Sequence, residues 1–303
     1  MTLKVRWLLV GSLLFALTLF ALPQGLMPAD ANRVAAVAVL MAMLWISEAI
    51  PIAVTALLPV VLFPLLGVMP IEAATANYAH HLVFLFLGGF WIAAAVERCG
   101  LHRRIALHVL GLMGSRPDRI VLGFMAATAF LSMWLSNTAT TMMMLPIGLA
   151  VIGRLGSGSQ TPFGRSLMLG IAYSASIGGV ATLIGTPPNA VLAGVVEKQL
   201  DMTIGFAQWM LFGLPLAVVM LVVAWWYLTH IAARLCGRPG DCGTEVIRGE
   251  IGQLGSMSSA ERRVLAVFAT VAVLWVFKGL LLPGLLGPIS DSTIAMAGAI
   301  ALF

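Results

Sequence analysis

Apolar runs of about membrane-spanning length follow one another along this chain, joined by short polar turns, and two of the runs carry polar clusters in their interior. Hydrophobic length and loop charge predict helices near 7–22, 34–50, 52–68 and 82–98, a region at 120–153 with a polar centre, and helices near 166–196, 206–229 and 264–282. Between them, Leu101–Met113 interleaves His102, Arg103, Arg104 and His108 with Leu, Ile and Val, the pattern of an amphipathic helix lying at a membrane surface. Segment 230–263 mixes Gly, Pro, Ser and charge and reads as a polar linker. After Asp291 an apolar segment of about 12 residues reaches Phe303, where a crossing needs about 20.

The first interrupted run, 120–153, holds Ser136-Asn137-Thr138-Ala139-Thr140-Thr141 at its centre and has arginines on both flanks (Arg116, Arg119, Arg154, Arg165). Hydrocarbon offers an irregular backbone no hydrogen-bond partner, so such a break survives only where protein buries it or water reaches it. Two architectures fit: two short crossings joined by an outer polar turn, or a re-entrant hairpin whose tip stops at mid-membrane. The flanking arginines place both ends on the cytoplasmic side in either case. Ser132 and Ser136 are four apart and would share a helix face leading into Asn137, which favours the hairpin. The second interruption, Ser176 to Asn189, contains Gly178-Gly179 and Gly185-Thr186-Pro187-Pro188. Two prolines remove two amide donors and disfavour helical geometry before them, so the helix is expected to break near Gly185 and free its carbonyls. Of the chain's four asparagines, Asn137 and Asn189 fall in these two breaks, while Asn32 and Asn77 are expected in loops between the predicted helices.

Composition places the chain among all-α polytopic membrane proteins: 60% of residues are hydrophobic, 10% are charged, and the mean hydropathy is +1.02. The bilayer is therefore its first partner. The net charge of +5 is scattered among membrane-flanking loops, not gathered into a nucleic-acid patch. Counting crossings from an inside N-terminus puts 14 of the 17 Lys and Arg residues on the cytoplasmic side, which implies a multi-pass protein of the cytoplasmic membrane. Lys4 and Arg6 before Trp7–Leu22 resemble a secretory signal, but no small-x-small site ends the run, so it reads as a transmembrane helix. Cys99, Cys236 and Cys242 have no metal spacing and read as packing residues. Glu48 is an intramembrane carboxylate beside Pro51, more consistent with a helix end than with a site. His80-His81 has no third ligand nearby in sequence. Met142-Met143-Met144 reads as helix packing, and 153–164 lacks the residues that cradle phosphate. No nucleophile, base and orienting group can be assembled, so the chain does not read as an enzyme.

Two broken helices at similar depth are the pattern by which secondary transporters bind ions and anions: helix N-termini face anionic groups while freed oxygens hold sodium. A hard cation takes oxygen ligands, and Ser132, Ser136, the Asn137 amide oxygen and a carbonyl near Gly185 are suitable. The same hydroxyls and amides can donate to a carboxylate or sulfate. With no Lys or Arg deep in the predicted spans, a dianion would rest on neutral donors, helix dipoles and co-bound cations. The reading is cation-coupled anion transport with sodium as coupling ion and no cofactor.

Ser136-Asn137-Thr138-Ala139-Thr140-Thr141, Ile184-Gly185-Thr186-Pro187-Pro188-Asn189 and Trp45-Ile46-Ser47-Glu48-Ala49-Ile50-Pro51 together resemble the divalent anion/sodium symporter family, the sodium-coupled dicarboxylate, citrate and sulfate carriers. The resemblance implies an inverted-repeat homodimer: scaffold helices at 1–98, a surface helix at 99–118, a moving transport region with hairpin and unwound helix at 119–200, a helix at 201–229, the linker at 230–263, and the opening of a second repeat at 264–303. It implies a sodium site of Ser132, Ser136, Asn137 and the Gly185 carbonyl. Substrate would approach Ser136, Asn137, Thr138 and Thr186. Family members carry a second Ser-Asn-Thr hairpin, and this sequence holds none, so the chain is expected to be the first repeat with the second largely missing, and not to transport alone. The form of the motif favours dicarboxylates; a sodium- or proton-coupled sulfate permease and a non-transporting membrane subunit are the alternatives.

Overall fold

A computed structural model describes residues 3–21, 27–112, 116–154, 158–235, 242–281 and 289–303. Among these the protein is helical without strands, and four stretches are long and apolar enough to cross a membrane: Leu3–Ala21, Ala29–Ser47, Ile71–Arg98 and Phe206–Ala232. Two compact units divide at His80/His81.

The first unit holds α1 (Leu3–Ala21), α2 (Ala29–Ser47), α3 (Ile52–Ala56), α4 (Leu58–Leu65) and α5 (Ile71–Ala76). α1 and α2 pack along each other, with Gly11 buried on α1 and Ala36, Val37 and Leu44 buried on α2. The helix expected over 52–68 is instead two short ones. Pro59 and Pro64 remove amide donors inside that run, so a continuous ladder cannot form. Glu48 ends α2 in the left-handed conformation (φ 47°), exposed, as the neighbouring proline suggested.

The second unit begins with α6 (His81–Arg98) and α7 (Leu101–Gly111), the expected amphipathic helix. Next come α8 (Pro117–Ser132), α9 (Asn137–Arg154), α10 (Pro162–Val180) and α11 (Pro187–Leu200), then α12 (Phe206–Trp226), which runs on into a π-helical turn at Tyr227–Ala232. One core forms where α7, α8, α9 and α10 meet, around Leu107, Phe124, Met125, Met144 and Leu167. A second forms around Leu85, Phe206, Trp275 and Ala295. The chain closes with α13 (Cys242–Gln253), α14 (Ser259–Leu281) and α15 (Asp291–Ile300).

Within the polar linker expected over 230–263 the structure places α13: Glu250 pairs with Arg103 of α7, and Ile251 lies against Gly111. An amphipathic partner supplied by α7 stabilises a helix that local composition did not announce. Arg104 closes the same region. Its guanidinium reaches Glu261 at 2.8 Å and donates to the carbonyls of Gly255 and Leu254. That contact and the Ser258 amide hold the Glu261 carboxyl at about 2, well below its ordinary 4.5. Cys99 packs half-buried against the first core. Cys236 lies outside the described residues, as does the Cys242 side chain.

Candidate functional site

α8 stops at Ser132 because the chain must turn: the amides of Met133 and Leu135 still bond back to Ala129 and Leu131, and Ser136 then begins a new helix. Its hydroxyl accepts from the Ala139 amide at 3.2 Å, a cap that satisfies one of the free donors at the start of α9. Ser132 and Ser136 therefore do not share one continuous helix face. They flank a turn, which brings Ser132 back onto Asn137.

At that turn the Ser132 hydroxyl, fully buried, donates its one hydrogen to the Ala175 carbonyl at 2.6 Å or to Asn137 Oδ1 at 2.7 Å. A hydroxyl keeps two lone pairs whichever it chooses. Asn137 is held against Gly179 of α10, where a Cβ would lie 2.5 Å from Oδ1. Any side chain at Gly179 would thus displace the amide. Gly178 admits α8 as closely, since a Cβ there would meet the Ala129 carbonyl oxygen at 2.2 Å.

The helix break runs from Ala181 to Thr186, and several of the carbonyls around it find partners. The Gly178 carbonyl accepts from the Ala181 amide, and the Val180 carbonyl from the Trp209 indole N–H of α12 at 2.9 Å. Asn189, buried, donates through Nδ2 to the Gly179 carbonyl at 2.8 Å and to the Thr182 carbonyl at 2.7 Å. Thr182, also buried, donates to the Met133 carbonyl at the hairpin turn and accepts from the Gly185 amide at 3.0 Å. Gly185 lies against the Gly179 carbonyl, 2.4 Å from where its Cβ would be. Among the described residues its own carbonyl accepts no bond.

The structure thus brings the predicted residues to one place. Ser132 and Gly185 are buried there and Asn137 is half-buried. Ser136 and Thr138 are exposed and Thr186 is half-exposed; Thr186 sits at the N-cap of α11 with its side chain capping no amide. Two helix N-termini, of α9 and α11, therefore stand at the junction of turn and break, with hydroxyls on their open side. Sequence reasoning missed Thr182, Asn189 and Trp209 as the groups that hold the break. Asn189 had a signal, its place directly after the paired prolines; Trp209 had none. The histidine pair also has a neighbour that spacing hid: Glu197 of α11 comes within 3.6 Å of His81.

Comparison with known proteins covers nearly the whole chain. The model of the sodium:sulfate symporter transmembrane region matches residues 3–303. Similar relatives are the sodium-dependent dicarboxylate transporters SdcS of Staphylococcus saprophyticus, 41% identical over 306 residues, and of Staphylococcus aureus, 42% identical over 309. Each alignment takes in 98% of this chain but 59% of the relative.

Proposed function

Because the chain belongs to the sodium:sulfate symporter family, we propose that it supplies the sodium site and one side of the anion site of a carrier that moves dicarboxylates of the succinate type with sodium across the cytoplasmic membrane. The observation that carries this reading is the Ser132–Asn137 pair: one hydrogen is shared between two acceptors, and a cation between Ser132 Oγ and Asn137 Oδ1 resolves the competition. With the ion in place the serine hydrogen goes to the Ala175 carbonyl, and both oxygens face the metal with the Gly185 carbonyl and Ser136 hydroxyl. That is the neutral oxygen set a hard cation takes. A carboxylate then meets Ser136, Thr138, Thr186 and the two helix N-termini, and the nearby positive charge of the ion strengthens each of those donors. The anion binds well only after the cation, which is what symport requires.

The names of the SdcS relatives favour a dicarboxylate; the family's description keeps sulfate as the second reading. The loop arginines favour a cytoplasmic N-terminus and both hairpin ends on the same side. α8 and α9, of 16 and 18 residues, are about 24 and 27 Å long, short of the roughly 30 Å of hydrocarbon, which suits a hairpin ending within the membrane. The family's homodimer is part of the same proposal.

Thermal melts of the purified chain in detergent test it. Sodium chloride should raise the midpoint relative to choline chloride, and succinate should raise it further only when sodium is present. Equal succinate stabilisation in choline removes sodium coupling; a sulfate response exceeding that of succinate transfers the reading to sulfate. Labelled succinate uptake by vesicles containing the chain separates a carrier from a non-transporting subunit.

A further inference from the structure

Hydroxyls inside the helices of this protein have a habit: they donate to the carbonyl one turn back. Thr128 bonds to Phe124, Ser174 to Gly170, Thr229 to Trp225 and Thr270 to Ala266, and Thr141 bonds to Asn137 at 2.7 Å. Thr140 breaks the habit, as do Thr55 of α3 and Ser292 of α15, and of the three only Thr140 is on a helix of the proposed site. Its side chain is fully buried, and its hydroxyl has no partner among the described residues. The Ser136 carbonyl it would take is in the usual place, since the Thr140 amide bonds to it at 3.0 Å.

A buried hydroxyl without a partner costs stability, and native proteins seldom leave one so unless a ligand completes it. Position says which ligand. Asn137, Thr140, Met144, Ile147 and Val151 recur at helical spacing along α9, and Thr140, Met144, Ile147 and Val151 are buried together. Asn137 opens that stripe with its amide oxygen beside Ser132, and Thr140 is the next side chain inward. Beneath Thr140 the stripe is apolar. It is the last oxygen before the hydrocarbon core of the unit.

We infer that Thr140 Oγ1 is a further oxygen of the monovalent cation site, one helical turn beneath Asn137 on α9. This rests on the cation reading of the Ser132–Asn137 pair, and the test keeps the two apart.

Sodium titrations of the thermal midpoint, at constant ionic strength with choline, are run on the wild-type chain, Asn137→Ala, Thr140→Val and Thr140→Ser. Thr140→Val replaces the hydroxyl by a methyl of equal size. It should need roughly tenfold more sodium for the same rise, while its midpoint in choline equals or exceeds that of the wild type because the unpaired hydroxyl is gone. Thr140→Ser keeps the oxygen and should titrate within about twofold of the wild type. Asn137→Ala should show no rise. A Thr140→Val curve matching the wild type while Asn137→Ala is flat overturns the role of Thr140 and leaves the site standing. A flat wild-type curve overturns both. If the valine variant fails to fold, Thr140→Ala takes its place under the same criteria.

Discussion

The first unit and the α8–α11 region of the second are built from the same apolar alphabet, yet they bury opposite things. α1 and α2 touch through a few small and branched residues and leave Leu9, Leu13, Phe20 and Ile46 exposed, as helices facing lipid do. Thr55 is the single buried polar side chain described there. Between α8 and α11, Thr128, Ser132, Thr140, Ser174, Thr182 and Asn189 are all buried, and glycines let backbone meet backbone. Burying polar groups is costly unless each is paired or a ligand pairs it. On the proposed reading, the second region carries that cost for binding, while the first serves as membrane wall.

The sharpest contrast is between two glycines. Gly178→Ala should cost about 3 kcal/mol and abolish the sodium response, because its Cβ meets fixed backbone. Gly11→Ala in α1 should be neutral or stabilising by about 0.5 kcal/mol, since its Cβ meets side chains alone, the end of Leu40 at 3.4 Å and the Met43 Cβ at 3.6 Å, and no backbone. Melting curves in denaturing detergent check both, and equal costs would erase the distinction.

Asparagines give the next test. Asn189→Ala strands two buried carbonyls and should cost about 2–4 kcal/mol. Asn32→Ala, which loses one half-exposed bond to the Leu19 carbonyl, should cost about 1 kcal/mol or less.

Charge gives the smallest contrast. Glu261 has its folded value lowered to about 2, so the stability it contributes is complete above its ordinary 4.5 and is lost as pH falls from there toward 2. Arg104→Gln should flatten that part of the pH–stability curve. Asp30→Asn, in the exposed pair with Arg33, should change stability by less than about 0.5 kcal/mol at neutral pH. Stability that falls equally in wild type and Arg104→Gln between pH 5 and 3 would assign the acid loss elsewhere.

Which features the sequence announced follows from how local their causes are. The long apolar helices, the amphipathic α7 and the break ahead of Pro187-Pro188 depend on composition and backbone chemistry within a few residues, and they were legible. Ser132 and Asn137 stood out because a polar residue in an apolar run is anomalous wherever it folds, and Gly185 because it precedes the paired prolines. Trp209 was not, since an indole in an apolar helix looks like any other bulky residue until its N–H is seen on the Val180 carbonyl. α13 was hidden because its partner, α7, lies far back along the chain. The helix face assigned to Ser132 and Ser136 failed for a related reason: spacing assumes a continuous helix, and the turn at 133–136 interrupts it.

The central claim is that hairpin turn and helix break enclose one cation site. Cysteines at Ser136 and Thr138, exposed on its open side, report on it directly through their rates of labelling by a membrane-impermeant thiol reagent. The account predicts that sodium slows labelling at both positions relative to choline, and that Asn137→Ala removes this protection. Rates unchanged by sodium, at positions freely reached from the outer face throughout, would contradict it.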